Sequence, residues 1–314
     1  MRYSLFIAIL FGVSAAAQAR DYQPPRLEDR RVDLQGVWGH TNLTPFERPA
    51  DLSTFVITPE QAAAIKAKID TRNEDLSKPA EPALYYDNRA VEPIRGEFRS
   101  SIIVEPADGL IPGNDAYKRK VGQVRASVLT AFDGPEQRMP SERCVGAPSA
   151  SPPIQLVPAG DLRRIVQTRD AIVIMAEELH EARVIRMNAR HSPTNVVSWL
   201  GDSIGWWERD TLVIESTSFA PASELRASPN SMFFVSPRTI VTERITRVAD
   251  DELSYEFTVT DPTYYTQTWK GETRLHRSNA KMIEYACHEG NYSLTFVLQD
   301  ARKLEERAET QTRR

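Results

Sequence analysis

The sequence predicts a mainly β protein built around a closed antiparallel barrel, and three observations lead to that fold class. First, about nine short strand-like runs follow one another between residues 163 and 288, most of them separated by tight turns. Second, residues 252–260 alternate apolar and polar side chains, as a strand with one face in a core does. Third, residues 239–248 carry charges on both faces, and a barrel with a partly polar lumen accommodates such a strand better than a dry sandwich.

The N-terminus has the pattern of a secretory signal peptide. Arg2 precedes an apolar run over residues 5–13, and residues 17–19 (Ala-Gln-Ala) supply a small-x-small cleavage pattern. The run is shorter than the roughly 20 residues that span a bilayer. We therefore expect residues 1–19 to be removed, leaving a periplasmic or secreted protein without a membrane span. An uncleaved N-terminal anchor is the alternative.

The rest of the chain is expected to form one domain over residues 20–302, followed by a charged tail over 303–314. Most of the 21 prolines precede residue 160, which predicts an N-terminal loop layer over 20–160. Two short helices are predicted in that layer. One starts at a capping sequence over residues 58–61, and the other covers 115–129. The strand-rich core is expected over 161–302, with residues 34–40 as the first barrel strand and 282–288 as the last.

Composition excludes several classes of function. The chain has 39 Lys and Arg against 43 Asp and Glu, with no basic cluster that would indicate a nucleic-acid partner. It has no Gly-x-Ser-x-Gly elbow of serine hydrolases and no glycine-rich phosphate loop. The five histidines lack the short spacing of local metal motifs. We therefore expect neither a metal nor any other cofactor.

The two cysteines are the next feature. Cys144 and Cys287 are the only ones in the chain, and in an oxidising compartment a lone pair is commonly a disulfide. Closing so long a loop could stabilise the fold by roughly 4–5 kcal/mol in the chain-entropy model. Two unpaired thiols are the alternative.

Several stretches resemble a group of exported bacterial proteins of mostly unassigned function. The matching stretches are residues 141–144, 165–168, 179–185, 199–203, 210–215, 243–244, 261–262 and 284–292. This chain departs from the pattern at Thr239 and Ile240, where such proteins often have Leu-His, and at Arg209, where glycine is usual. The resemblance covers residues 34 to 302 and leaves the function open.

A looser resemblance is to lipocalin-like barrels. Gly36 and Trp38 form a Gly-x-Trp on the first strand, similar to the opening of barrels whose tryptophan plugs the closed end. The fold implied is a lipocalin-like antiparallel barrel, and the activities implied are those of lipocalin-like hydratases, isomerases and cyclases. The chain also resembles the phenylcoumaran gamma-formaldehyde lyases, which act on lignin-derived aromatic dimers.

Two clusters contain the predicted catalytic residues. On a final strand Glu284 and His288 would share one face, with Tyr285 on the other, and a histidine backed by a carboxylate is a common general base. His180 and Arg183 form the second cluster, in which Arg183 and Tyr285 would stabilise an oxyanion. The alternatives are a strand-end histidine bonded to backbone and a solvated turn whose ion pair contributes little.

Aromatic side chains are the third constellation. They could line an apolar cavity for an aromatic ligand, although such residues also serve simply as barrel core. The residues predicted to bind substrate are Trp38, His40, Trp207, Trp269 and Tyr292.

These observations predict a cofactor-free acid–base enzyme of the lyase or isomerase type, acting on a small apolar aromatic molecule. The resemblance implies formaldehyde elimination from a phenylcoumaran dimer. One alternative is a non-catalytic, exported, lipocalin-like binding protein for an apolar ligand, and another is a structural envelope protein with a filled barrel. A homodimer is one possible assembly. Exposure of His180, His288 and Glu284 to bulk solvent would count against the acid–base scheme, because a catalytic group must reach its proton.

Overall fold

The computed structural model describes residues 22–76, 89–140, 142–145, 151–154, 162–221, 225–228 and 231–312. The predicted signal peptide over residues 1–19 lies outside these ranges. None of the helices in the described ranges is both long enough and apolar enough to cross a membrane.

Nine strands form a closed barrel, which confirms the predicted fold class. The chain order of the strands is also their order around the barrel, and the first strand pairs with both the second and the last. Closure pairs Trp38 with Arg277 and Gly39 with His276. The barrel strands are β1 (Gly36–Gly39), β5 (Arg163–Gln167), β6 (Ala171–Ala176), β7 (Ala182–Met187), β8 (Asp202–Glu208), β9 (Thr211–Thr217), β12 (Ile240–Ala249), β13 (Glu252–Thr260) and β14 (Trp269–Arg277).

One neighbouring pair departs from the predicted antiparallel pattern. Strands β7 and β8 run parallel, with Ile185 opposite Ser203, and every other pair in the barrel is antiparallel. Parallel neighbours need a crossover connection rather than a tight turn. Residues 188–201 supply that connection.

An N-terminal layer covers one side of the barrel. It contains α1 (Pro59–Leu76), α2 (Asp115–Thr130) and the strand β4 (Ile103–Glu105), which pairs with β14. The predicted capping box is present, since Gln61 N–H donates to Thr58 Oγ1 and Thr58 N–H donates to Gln61 Oε1. The layer also contains a small ribbon of β2 (Val56–Ile57) with β3 (Phe98–Arg99). A second ribbon, β10 (Leu225–Ser228) with β11 (Ser231–Phe234), lies between β9 and β12 in the chain.

A tryptophan fills one end of the barrel, which we call the closed end. Trp38 is fully buried, and its indole N–H donates to Leu34 O at 2.9 Å. The guanidinium groups of Arg247 and Arg277 lie 5.8 and 5.5 Å from the centre of its ring. Cation–π contacts of this kind hold the ring in place.

The opposite end of the barrel is filled by aromatic rings and by an inserted segment. Phe46 stacks on Phe233 at 5.5 Å, and Trp269 meets both rings edge-on. Residues 151–154 are all buried, and the N–H of Ile154 donates to the hydroxyl of Tyr255 inside the barrel. The interior is therefore packed as a core along much of its length.

The prediction for the last strand was wrong. Residues 282–288 form extended, irregular chain that ends in a turn, not a strand. The barrel already closes through β1 and β14, so no free strand edge remains for this segment to join. A third helix, α3 (Ser293–Thr312), follows this segment, and the predicted boundary between domain and tail at residue 302 falls inside it.

Candidate functional site

The candidate site lies outside the barrel, at the rim opposite the closed end. Strand β6 ends there in a single 3-10 turn over Glu178–His180, and residues 283–291 fold back over that turn. Two hydrogen bonds attach the two segments. Ile283 N–H donates to Glu177 Oε1 at 2.9 Å, and Tyr285 N–H donates to His180 Nε2 at 3.3 Å. The disulfide gives the third attachment of residues 283–291, and it joins them to Cys144 of the proline-rich layer rather than to the turn.

The predicted disulfide between Cys144 and Cys287 is confirmed. The Cα atoms are 5.7 Å apart, and 143 positions separate the two residues in the chain. The amide of Asn291 also donates to Cys144 Sγ at 3.2 Å. The bond therefore ties the proline-rich layer to the segment that follows the barrel.

The backbone at this rim adopts an uncommon conformation. Cys144, Leu179 and His180 all have φ of 53°, in the left-handed region that non-glycine residues rarely occupy. Such residues cost on the order of 1–3 kcal/mol each and cluster at functional sites. Three such residues lie around one disulfide, and this distinguishes the rim from other parts of the described chain.

Two grooves flank the segment 284–287, which forms a ridge between them. The first groove, of about 550 Å³, is walled by Leu294 and Val297 of α3 on one side and by Arg138 and Glu142 on the other. The second groove, of about 400 Å³, lies over the 3-10 turn. It is lined by Cys144, Val145, Leu179, His180, Glu181, Glu284, Tyr285, Ala286, Cys287, His288 and Glu289.

Four of the five predicted catalytic residues meet in the second groove. His180, Glu284, Tyr285 and His288 all line it. However, His180, Glu284 and His288 are exposed and not sunk into the barrel. This exposure counts against the acid–base scheme for these residues. The cause is the irregular path of the chain after β14, which never enters the sheet.

Besides its exposure, His180 of the 3-10 turn has a second limitation as a general base. Because His180 Nε2 accepts the N–H of Tyr285, the basic nitrogen of that ring is already engaged. Tyr285 itself is half-buried, and burial, followed by the nearby charge of Glu178, raises the pKa of its phenol. Tyr285 therefore remains a hydrogen-bond donor to a ligand in either groove.

The fifth predicted catalytic residue, Arg183, lies elsewhere. Alternation along β7 turns it into the barrel, where it forms a bidentate ion pair with Glu243 of β12. The phenol of Tyr255 donates to the same carboxylate at 2.7 Å. Arg183 is thus paired with Glu243 in the core and is not among the residues that line the groove beside His180.

The predicted substrate-binding residues are not brought together. Trp38 plugs the closed end, and Trp269 is buried in the aromatic cluster. His40 is buried beside Thr273, with 3.1 Å between Nε2 and Oγ1, and burial holds the pKa of its ring well below the ordinary value. Trp207 packs against the core from β8, whereas Tyr292 is 67% exposed outside the barrel. These five residues form no single cavity wall.

Sequence reasoning missed the partners of the buried charges. Glu243 and Tyr255 were treated only as members of strands, although Glu243 sits at an interior position of an alternating strand. A charged residue at such a position is a signal that a buried counter-charge exists. His276 and Glu92 form another pair that was missed, with 2.6 Å between Nε2 and Oε2.

No group of three or more His, Cys, Asp or Glu side chains in the part of the chain described above could hold a metal ion.

Comparisons with known proteins give little further guidance. No family model matches the chain, and no curated protein does. Among solved structures, a mutant of the fluorescent protein UnaG is similar, with 14% identity over 45% of this chain and 86% of that chain. Its TM-score of 0.23 is too low to carry an argument about function.

Proposed function

We propose that this protein is an exported, non-catalytic binding protein for a small aromatic molecule, which it holds in the paired grooves beside the disulfide. The observation that carries the proposal is the ridge 284–287, which separates two grooves of about 550 and 400 Å³. These volumes are of the size that small-molecule sites occupy. The barrel interior, by contrast, is largely filled by its own side chains.

The chemistry of the grooves fits an aromatic ligand with a polar end. Tyr285 contributes to both grooves and offers a ring face together with a phenol that stays protonated. Leu294 and Val297 add apolar wall in the first groove. Exposed carboxylates and imidazoles, such as Glu284 and His288, can accept or donate hydrogen bonds at the edge of the second.

Calorimetric titration with a lignin-derived phenylcoumaran dimer tests the proposal. The wild-type protein should bind the dimer, and Tyr285→Ala should weaken binding by at least about tenfold, as loss of an aromatic anchor does. Tyr22→Ala is the matched control, because Tyr22 bonds to Asp250 far from the grooves. Equal binding by Tyr285→Ala and wild type would contradict the proposed site.

Acid–base catalysis on the same molecule is the second candidate function. One observation favours it, since His180, Glu284, Tyr285 and His288 line a single groove. The solvent exposure of His180, Glu284 and His288 counts against it. In this scheme His288 would remove a proton from a phenol or primary alcohol of the dimer. The C–O bond of the ring ether would then open to a quinone-methide-like species with a free phenolate. The C–C bond to the hydroxymethyl group would break to release formaldehyde, and the phenolate would take the proton back from His288, which leaves a stilbene.

Formaldehyde release separates the two candidates. The binding proposal expects the dimer to be bound and recovered unchanged. Formaldehyde formed by wild type but not by His288→Ala would establish the lyase instead. Release that is unaffected by His288→Ala would remove His288 from any mechanism.

We also propose that the protein works in the periplasm or outside the cell. The pattern of residues 1–19 supports this, and so does a disulfide that oxidising compartments favour. Cell fractionation followed by mass determination tests it. A protein that keeps residues 1–19 and stays in the cytoplasm would refute export.

A further inference from the structure

Helix α3 is the element with the least tertiary support in the described chain. None of its 20 residues is buried, and the apolar side chains of Val297 and Leu304 are 40% and 63% exposed. The helix also touches the body through Arg302, which donates to Phe132 O at 2.6 Å. In proteins most of the stability of a helix comes from packing an apolar face rather than from its intrinsic propensity. The apolar face of α3 borders the first groove at Leu294 and Val297, and it is left accessible to a partner at Leu304 and Ala308.

The apolar residues of α3 follow a heptad spacing. Leu294, Val297, Ala301, Leu304 and Ala308 recur at alternating steps of three and four, which is the a/d pattern of a coiled coil. Val297 and Leu304 are 40% and 63% exposed, Ala308 is exposed and Ala301 is half-buried, so a second helix can approach the face from Val297 at the edge of the first groove to Ala308. We call residues 297, 301, 304 and 308 the α3 stripe.

Charges beside the stripe specify the orientation of a partner helix. Asp300 and Arg307 are exposed and occupy the same flanking heptad position, one heptad apart. In an antiparallel pair of identical helices, each Asp300 would face the Arg307 of the other copy. In a parallel pair, Asp300 would instead face Glu305, which carries the same charge. Self-complementarity of this kind favours a two-fold symmetric contact.

We propose that two copies of the chain associate through antiparallel pairing of their α3 stripes. Val297 of one copy then packs near Ala308 of the other, and Ala301 near Leu304. The charges of α3 are of both signs, which distinguishes it from the strongly basic polar face that anionic lipid surfaces attract. The contact is small compared with a standard interface, so the dimer is reversible and depends on concentration.

Sedimentation equilibrium of the full chain tests the proposal. Wild type should shift from monomer to dimer within the micromolar range, and Leu304→Glu should raise the dissociation constant by at least about tenfold, since it places a charge in the stripe. Arg307→Glu should also weaken the dimer, because it sets like charges opposite each other. The double variant Asp300→Arg with Arg307→Asp should restore association, which intrachain effects alone do not predict.

Controls make each outcome decisive. Glu306→Lys reverses a charge on the far side of α3 and should leave the dissociation constant unchanged, and circular dichroism checks that every variant keeps its helix content. A wild type that stays monomeric at all concentrations overturns the proposal. So does a monomer that binds lipid vesicles through α3, or an Arg307→Glu variant that dimerises as well as wild type.

Discussion

Arg183 and Glu243 form an ion pair inside the barrel, with side-chain exposures of 1% and 0%. The carboxylate also accepts a hydrogen bond from Tyr255, whose hydroxyl in turn accepts the N–H of Ile154. The chain of contacts therefore runs from strand β7 to the inserted segment 151–154. Burial and the charge of Glu243 together raise the pKa of the Tyr255 phenol well above its ordinary value, so the phenol remains a donor.

Breaking this pair should destabilise the protein strongly. Glu243→Ala leaves the Arg183 charge buried without a partner, which typically costs about 3–5 kcal/mol of unfolding free energy. Urea denaturation under non-reducing conditions measures the loss. The matched control is Glu256→Ala, whose carboxylate pairs with Arg95 at the surface and should contribute less than about 1 kcal/mol.

A second variant separates burial of charge from packing. Replacing both partners at once, with Arg183→Met and Glu243→Leu, removes the charges but keeps apolar volume. This double variant should be much more stable than Glu243→Ala, because no uncompensated charge remains in the core. If Glu243→Ala unfolds at the same urea concentration as Glu256→Ala, the pair has no structural importance.

The disulfide should stabilise both the fold and the grooves. Replacing both cysteines with serine frees a loop of 143 positions and should cost roughly 4–5 kcal/mol in the chain-entropy model. The same variant should lose ligand binding, because Cys287 fixes the ridge to Cys144. Treating wild type with a reductant should reproduce both losses and leave the double-serine variant unchanged. A reduced protein with undiminished stability would show that the bond contributes little.

The strands could be predicted from the sequence because their signal is local. Alternation over residues 252–260 and the turns beside 171–176 identified strands that the structure confirms. The partner of Arg183 could not be found this way, since Glu243 is 60 positions away and only barrel closure brings the two together. The same holds for His180 and Tyr285, which are 105 positions apart.

The C-terminal region was misread for a different reason. Residues 282–288 are rich in reactive side chains, and their position after a strand-rich region suggested one more strand. The heptad spacing of α3 was present in the sequence, but its many charges favoured a solvated tail. A polar helix and a polar tail have similar composition, and they differ chiefly in the period of their apolar residues.

Stability should depend on pH through His276 and Glu92. The hydrogen bond to Glu92 raises the pKa of His276 above 6.5. The contribution of His276 to the free energy of unfolding is therefore complete below pH 6.5, and it is lost as the pH rises through the pKa of the folded state. Burial alone would raise the pKa of Glu92, but hydrogen bonds from His276 and Thr41 leave it below 4.5. The contribution of Glu92 is therefore present above 4.5 and lost in more acidic solution.

The pair should thus stabilise most between about pH 4.5 and pH 6.5. The difference in unfolding free energy between wild type and His276→Gln should be largest in that window and shrink towards both extremes. Denaturation series over a range of pH values measure it, with the exposed His288→Gln as the matched control. A difference that grows steadily towards alkaline pH would be inconsistent with a raised pKa for His276.

Two glycine substitutions should change stability in opposite directions. A Cβ on Gly271 of β14 would lie 2.2 Å from Cζ of the buried Phe257 ring, so Gly271→Ala should destabilise by about 1–3 kcal/mol through overpacking. Gly122 lies within α2 with nothing within 4 Å of its Cβ position. Gly122→Ala should therefore stabilise by about 0.5–1 kcal/mol, because alanine loses less conformational entropy in a helix.

Urea midpoints measured side by side test both, since the two variants add the same methyl group. Loss of stability from Gly122→Ala would mean that α2 packs more tightly than its surroundings indicate, whereas a neutral Gly271→Ala would mean that the Phe257 ring can move aside.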